Sequence, residues 1–293
     1  MTGYDLSLGF IGLGALGLPM AANLRKAGFR LNVHTRSRSP EAAPELLGTR
    51  SCASPAETAE TVDVVMLCVS DDTAVENVLF GPHGAASALQ PGSVVVDCST
   101  IAPATAMDCA ERLGRQGVTY LDAPVTGGTE GAKAGTLTLL VGGEADALER
   151  VRPLLEVIGS TINHFGPVGR GQQVKAVNQV LVAGSYAAVA EAMALGERLD
   201  LPMDQVVEAL RGGAAGSWAL EHRAPGMLRG AYPLGFRLAL HHKDLGIALD
   251  AAESVQLELP ISRLVQQLEH ALMQRGHGDE DVSALHRLHD EKS

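Results

Sequence analysis

A chain of 293 residues is too long for one ordinary small core and suits two domains. Apolar residues make up 46% and charged residues 19%, the balance of a globular soluble protein and not of a disordered one. A formal charge of -11 and only 3% aromatics supply neither clustered cations nor stacking surface, so nucleic acid is not an expected partner.

In the first half, short β-rich runs alternate with helical stretches. Leu8 to Ile11 reads as a strand, Ala15 to Ala27 as a helix ended by a left-handed Gly28, and Leu31 to His34 as a second strand. Val64 to Val69 and Val94 to Asp97 are apolar, branched and too short for helices, as a parallel sheet covered on both faces requires. Thr119 to Ala123 and Thr136 to Val141 add two strands. The expected fold class is α/β, beginning with a Rossmann-type, doubly wound parallel sheet. Near Gly166 the pattern changes. Val174 to Leu199 lacks proline and is apolar or small nearly all round, a long helix buried on several sides. Met203 to Arg211, Trp218 to Met227, Phe236 to Gln256 and Ile261 to Arg275 read as further helices, and the last dozen residues as a polar, fraying end. The expected domains are 1–165, dinucleotide-binding, and 166–293, all-α, joined by the long helix.

Cys52, Cys68, Cys98 and Cys109 form no C-x-x-C pair and no His stands at zinc-ligand spacing from them, so they read as buried small hydrophobes and no metal is expected. Leu8 to Met20 lacks a preceding basic stretch and carries four glycines, which suits a strand and phosphate loop better than an export signal. Reduced thiols then imply the cytoplasm. No uninterrupted apolar run of 18 residues suggests a membrane span.

Gly12-Leu-Gly14-Ala15-Leu16-Gly17 matches G-x-G-x-x-G directly after a strand and at the start of a helix. Gly12 permits the tight turn, Gly14 lets backbone approach a pyrophosphate, and Gly17 lets helix and strand pack. The helix N-terminus offers N–H groups and positive dipole to the phosphates. The second strand is followed by Thr35-Arg36-Ser37-Arg38, with no acid to accept from a ribose 2′-hydroxyl. Arg36 suits the 2′-phosphate of NADP. The rival readings are NAD as cofactor and Arg36 and Arg38 as solvated surface charges.

Four stretches together resemble the β-hydroxyacid dehydrogenase family. They are Gly9 to Leu24; Asp122 to Leu137; Gly169-Arg-Gly-Gln-Gln-Val-Lys175-Ala-Val-Asn178-Gln179; and His241-His-Lys243-Asp244-Leu245. Leu16 stands where the family usually has Met, and Thr126 where it usually has Ser, which keeps the hydroxyl. The resemblance implies Lys175 as the residue that moves the proton and Asn178 as its partner in orienting substrate. It implies Thr126, Gly127 and Gly128 as carboxylate-binding. Gly12, Gly14, Ala15, Leu16, Gly17, Arg36, Val69, Ser70, Thr100 and Lys243 are the expected cofactor contacts. Reduction of an aldehyde leaves an alkoxide, and a positioned acid contributes roughly 10²–10⁴-fold to such a step. A lysine beside a cationic nicotinamide would have its pKa lowered toward neutrality. Lys175 and Asn178 stand three apart on one helix face.

The bland alternatives are a surface lysine for Lys175, a packing amide for Asn178, a turn hydroxyl for Thr126, a strand end for Val69 and Ser70, a helix N-cap for Thr100, and a surface charge pair for Lys243. The expected activity is interconversion of a small 3-hydroxy acid and its semialdehyde. The tartronate semialdehyde reductase branch (2-hydroxy-3-oxopropionate to D-glycerate) is weighed against 3-hydroxyisobutyrate dehydrogenation and succinic semialdehyde or glyoxylate reduction. A catalytically silent dinucleotide-binding scaffold is the reading from another class. The family also implies a homodimer or homotetramer built through the helical domain.

Overall fold

The structure is a computed structural model that describes residues 6–36 and 43–289. Arg38 and Ser37 therefore lie outside the described residues. The chain separates into two compact units, Met1–Lys175 and Ala176–Ser293.

The first unit runs β1 (Leu8–Ile11), α1 (Gly17–Lys26), β2 (Leu31–His34), β3 (Arg50–Ser51), α2 (Pro55–Ala59), β4 (Val64–Leu67), α3 (Asp72–Phe80), β5 (Val94–Asp97), α4 (Pro103–Gly114) and β6 (Thr119–Asp122). These six strands form one parallel sheet in the order β3-β2-β1-β4-β5-β6. The order reverses between β1 and β4, where open α/β sheets bind ligands beyond the strands' carboxyl ends. Continuous apolar strands are needed because both faces are covered. Val64 and Met66 pack with Met20 and Leu24 of α1, while Val65 and Leu67 pack with Leu79 of α3 and Leu113 of α4.

The chain continues through β7 (Val125–Thr126), α5 (Gly128–Ala134), β8 (Leu137–Val141), α6 (Ala145–Ile158) and β9 (Gly159–His164). The expected strand over 136–141 is present, but it leaves the parallel sheet. It pairs antiparallel with β7 and parallel with β9 in a separate three-stranded sheet.

One buried carboxylate ties this small sheet to the helix that follows. Asp122, the last residue of β6, exchanges backbone hydrogen bonds with Gly142, just past β8. Its side chain accepts from the N–H groups of Gly169 (2.8 Å) and Gln172 (2.9 Å), which open α7 (Arg170–Arg198). Donors that an α-helix leaves unsatisfied in its first turn are thus met by an anion, with the helix dipole in favour. Gly142 must be glycine, since a Cβ there would stand 2.5 Å from Asp122 Oδ1. This grip explains why residues 166–175, expected with the helical half, pack with the first unit.

The second unit comprises the rest of α7, α8 (Met203–Leu210), α9 (Trp218–His222), α10 (Ala224–Met227), α11 (Leu238–Ser254), α12 (Pro260–Gln274) and a 3-10 helix, Val282–His289. The single helix expected over 218–227 is broken at Arg223, with Pro225 in the first turn of α10. The fraying expected from 282 onward is corrected for 282–289, where Val282, Ala284 and Leu285 are buried. On α11, His241 is wholly buried and its Nδ1 lies 2.5 Å from Glu269 Oε1 of α12, a contact internal to the unit. Although no long uninterrupted apolar run was read, α7 is long and apolar enough on average to cross a membrane. Its Ala and Val content raises that average, and Lys175, Asn178 and Gln179 interrupt the helix, the mixture of a core helix.

Replacing Asp122 by Ala leaves two buried N–H groups unpaired, at roughly 1–3 kcal/mol each. The thermal midpoint is expected to fall by about 4–12 °C. Calorimetry that finds it unchanged contradicts this role for the carboxylate.

Candidate active site

The dinucleotide loop leaves β1 and enters α1, and its three glycines answer three separate demands. Gly12 has φ +102°, and a Cβ there would meet the Cys68 carbonyl oxygen at 2.3 Å. At Gly17 a Cβ would stand 1.9 Å from the Gly12 carbonyl oxygen, so the helix could not seat against the turn. Gly14 is exposed and has nothing within 4 Å of the same position. The chain itself gives no reason for glycine there, whereas a pyrophosphate approaching the backbone does. Ala15 is exposed and Leu16 half-buried. No side chain caps α1 and no acid stands in its first turn, so an anion is not opposed there. The loop thus fits a dinucleotide. Arg36 is exposed, two residues past β2.

The next two strands end beside this loop in the sheet. Val69 donates its N–H to Ser99 Oγ (3.0 Å), Ser70 is exposed, and its hydroxyl donates to Asp71 (2.7 Å). Helix α3 is capped by Asp71, which accepts from the Ala74 N–H. Thr100 is half-buried, and the N-cap residue of α4 is Ala102 and not Thr100. Gln172, buried in the first turn of α7, donates to the Ser99 carbonyl (2.9 Å) and accepts from the Ile101 N–H (3.2 Å). The β5 end and the start of α7 are therefore one hydrogen-bonded structure.

Between β7 and α5 the chain turns through Gly127 (φ +129°) and Gly128 (φ +63°). Two successive glycines with positive φ turn N–H groups toward one side, a common way to hold a carboxylate. Thr126 is half-buried and pairs with Thr138 across the sheet. The position of this loop relative to the dinucleotide loop is set by Asn23 of α1, whose amide donates to the Ala132 carbonyl (2.9 Å) near the end of α5.

Lys175 is 6% exposed, and its ammonium donates to the Val125 carbonyl at 2.9 Å. A buried lysine is uncommon unless it is paired or used in chemistry. The backbone that receives it follows Asp122, and Asp122 caps the helix that carries it. Burial pushes the Asp122 carboxyl up, against the pull of the Gly169 and Gln172 N–H groups. The neighbouring Asp97 carboxyl is also pushed up by burial, opposed by bonds from Ser99 and Tyr120. Burial raises the Cys68 and Cys109 thiols to about 12, and all four cysteines are free.

In the second unit, Asn178 is half-buried one turn along α7 from Lys175. Its amide donates to Gln179 Oε1 (2.8 Å), and Gln179 donates to Asp244 Oδ2 (2.6 Å). Lys243, partly exposed, forms an ion pair of 2.9 Å with Asp244. Asn178 and Lys243 are thus ends of one polar chain. Sequence reading singled out Lys175, Asn178 and the glycines but gave no part to Asn23, Asp122, Gln172, Gln179 or Asp244. All five lie within or beside the recognised motifs, but these hydrogen bonds join residues 47 to 109 apart, so spacing alone carries no signal. Among the described residues no His, Cys, Asp and Glu group could hold a metal ion.

A family model described as the NAD-binding domain of 6-phosphogluconate dehydrogenase matches residues 7–166. A second, described as NAD-binding of NADP-dependent 3-hydroxyisobutyrate dehydrogenase, matches residues 169–289. The chain is 40% identical over 282 residues to 2-hydroxy-3-oxopropionate reductase of Escherichia coli K12, covering 96% of each. It is 39% identical over 290 residues to NAD-dependent L-serine dehydrogenase of Pseudomonas aeruginosa, covering 97% of each. Among solved structures, 3-hydroxyisobutyrate dehydrogenase from Salmonella typhimurium superposes with a TM-score of 0.88 at 32% identity, covering 97% of this chain and 100% of that one.

The glycines separate stability from binding. Gly14→Ala is expected to leave the thermal midpoint in place, a shift of less than about 1 kcal/mol, while weakening dinucleotide binding by about tenfold or more. Gly17→Ala is expected to lose both. Titration of dinucleotide fluorescence and a melting curve on each variant give the two readouts. Full binding by Gly14→Ala contradicts this reading of the loop.

Proposed function

The chain belongs to the β-hydroxyacid dehydrogenase family of NAD(P)-dependent oxidoreductases acting on CH–OH groups, and from that premise we propose that it interconverts a small 3-hydroxy acid and its semialdehyde with NADP(H). The first pair to test is 2-hydroxy-3-oxopropionate and D-glycerate. The observation that carries the reading is the buried Lys175, anchored to the Val125 carbonyl on a helix whose start is gripped by Asp122.

Residues 1–165 then form the NADP-binding domain. The glycine loop, with Gly12, Gly14, Ala15, Leu16 and Gly17, receives the pyrophosphate, and Val69, Ser70 and Thr100 line the cofactor beyond it. Arg36, with no acid beside it in 35–36, supports NADP through its 2′-phosphate. Bound nicotinamide supplies or accepts the hydride. The chain's own residues do the rest. Thr126, Gly127 and Gly128 hold the substrate carboxylate with a hydroxyl and backbone N–H groups. Lys175 delivers a proton to the oxygen that becomes the hydroxyl, and takes it back in the oxidative direction. Asn178 orients that oxygen, and Lys243 is assigned to the cofactor. Placement of the proton donor by rigid backbone is what raises its effective concentration.

Residues 166–293 form the substrate and assembly domain. Val177, Leu181, Ala188, Ala192 and Leu195 are exposed along α7 at successive spacings of four, seven, four and three residues, and exposed Leu199 follows its end. An apolar stripe of that length favours association, here a homodimer or homotetramer. The cytoplasm is the expected compartment, in keeping with four free cysteines.

NADPH oxidation by the purified protein tests the reading, with 2-hydroxy-3-oxopropionate, methylmalonate semialdehyde, succinic semialdehyde and glyoxylate as acceptors. L-serine with NADP⁺ tests the oxidative direction, and NADH serves as the alternative donor. One semialdehyde is expected to turn over, faster with NADPH. Lys175→Ala is expected to lose about 10²–10⁴-fold in kcat while NADPH still binds. Light scattering is expected to give a multiple of 30.5 kDa. Tight NADPH binding without turnover of any of these compounds overturns the substrate assignment, and full activity of the variant overturns the role of Lys175.

A further inference from the structure

Gln179 is 1% exposed and sits in the middle of a directional chain. Asn178 Nδ2 donates to Gln179 Oε1 at 2.8 Å, Gln179 Nε2 donates to Asp244 Oδ2 at 2.6 Å, and Asp244 Oδ1 lies 2.9 Å from Lys243 Nζ. A carboxylate can only accept. Asp244, 3% exposed, therefore forces Gln179 to turn its NH₂ inward and its carbonyl toward Asn178. Asn178 must in turn present its own NH₂ to Gln179. What it turns the other way is fixed as well: the carbonyl oxygen, an acceptor.

We propose that Gln179 is a positioning residue which, through Asp244, sets the amide of Asn178 so that its carbonyl oxygen accepts a hydrogen bond from the substrate hydroxyl. This rests on the assignment of Asn178 to the substrate. An amide free to flip would offer its NH₂ half of the time, and an NH₂ cannot receive the proton of an alcohol. Holding the amide in one sense removes that loss before substrate arrives. A glutamine that merely joined α7 to α11 would need no particular sense along the chain.

The direction is tested by reversing it. In Gln179→Glu two carboxyl groups meet where the 2.6 Å bond stood. The protonated form of the introduced acid donates to Asp244 and accepts from Asn178, as Gln179 does. Its ionised form cannot donate and is repelled. Titratable and charged groups on the surrounding helices are Lys243 against Asp244, Lys175 one turn back on α7, and His241 one turn back on α11, hydrogen-bonded to Glu269. The acid keeps its proton at low pH and loses it as pH rises. The kcat ratio of variant to wild type is therefore expected to be near unity at low pH and to fall about tenfold toward high pH, one hydrogen bond in the transition state being lost. Adding Asp244→Asn supplies an NH₂ that donates to the introduced carboxylate, which still accepts from Asn178. The double variant is expected to remove the pH dependence, because the introduced carboxyl keeps a partner in both of its protonation states.

The side-chain amide resonance of Asn178, identified by its loss in Asn178→Ala, gives a readout without turnover. In the NADPH-bound protein it is expected to move with pH in Gln179→Glu, and to move less in the double variant, where both protonation states keep the bond from Asn178. A resonance and a kcat ratio that are both flat with pH in Gln179→Glu overturn the proposal. A resonance that titrates in a protein that reduces no semialdehyde would keep the Gln179–Asp244 control of Asn178 and overturn its role toward the substrate hydroxyl, so failure of the two readings is told apart.

Discussion

The contact on which the rest depends is the Asp122 carboxylate at the first turn of α7. It stands at the carboxyl end of β6, where the sheet directs its functional edge, and takes the N–H groups of Gly169 and Gln172. Three residues further along the same backbone, the Val125 carbonyl receives the Lys175 ammonium. The helix start and the lysine are both referenced to one short stretch of chain. An ammonium held in this way keeps a hydrogen-bond partner while most of its surface is out of water, the compromise that a buried ionisable group needs. Burial works against the carboxylate that does the holding, and the backbone donors work for it.

Around that contact the first unit is assembled from close approaches that glycine alone permits. Gly17 and Gly142 are pressed by neighbouring backbone or by Asp122 itself, while Gly14 is pressed by nothing in the chain. At Gly14, between β1 and α1, the group that comes near is the pyrophosphate expected there. Asn23 and Gln172 then join the loops to one another, Asn23 from α1 to the end of α5, Gln172 from α7 to the end of β5. Backbone placement, more than any single side chain, sets the geometry of the loops proposed to hold a dinucleotide and a carboxylate.

Much of this was legible in the residues, and the parts that were not have physical reasons. The strands β1, β4 and β5 are largely apolar runs buried at every residue, the strongest strand signal a sequence carries, while β2 and β6 mix polar residues into theirs. By contrast, β9 is mostly exposed and polar, and β3 has two residues, so neither shows a period. The closing 3-10 helix was hidden in plain view: Val282, Leu285 and Leu288 recur every third residue, the repeat of that helix, amid polar neighbours that suggest a loose end. Lys175 and Asn178 announce themselves by their motif. Gln179 and Asp244 do not, because 65 residues separate them and their meaning lies in which atom of each faces the other.

The most direct test of the central claim is to follow the hydride. NADPH carrying deuterium at the transferable C4 position is mixed with the semialdehyde that the protein turns over, and the hydroxy acid formed is analysed by mass spectrometry. One deuterium on the carbon bearing the new hydroxyl, formed by the wild type and lost with Lys175→Ala although that variant still binds NADPH, is the result the proposed chemistry requires. Deuterium left on the dinucleotide, or product formed equally by the variant, would contradict it.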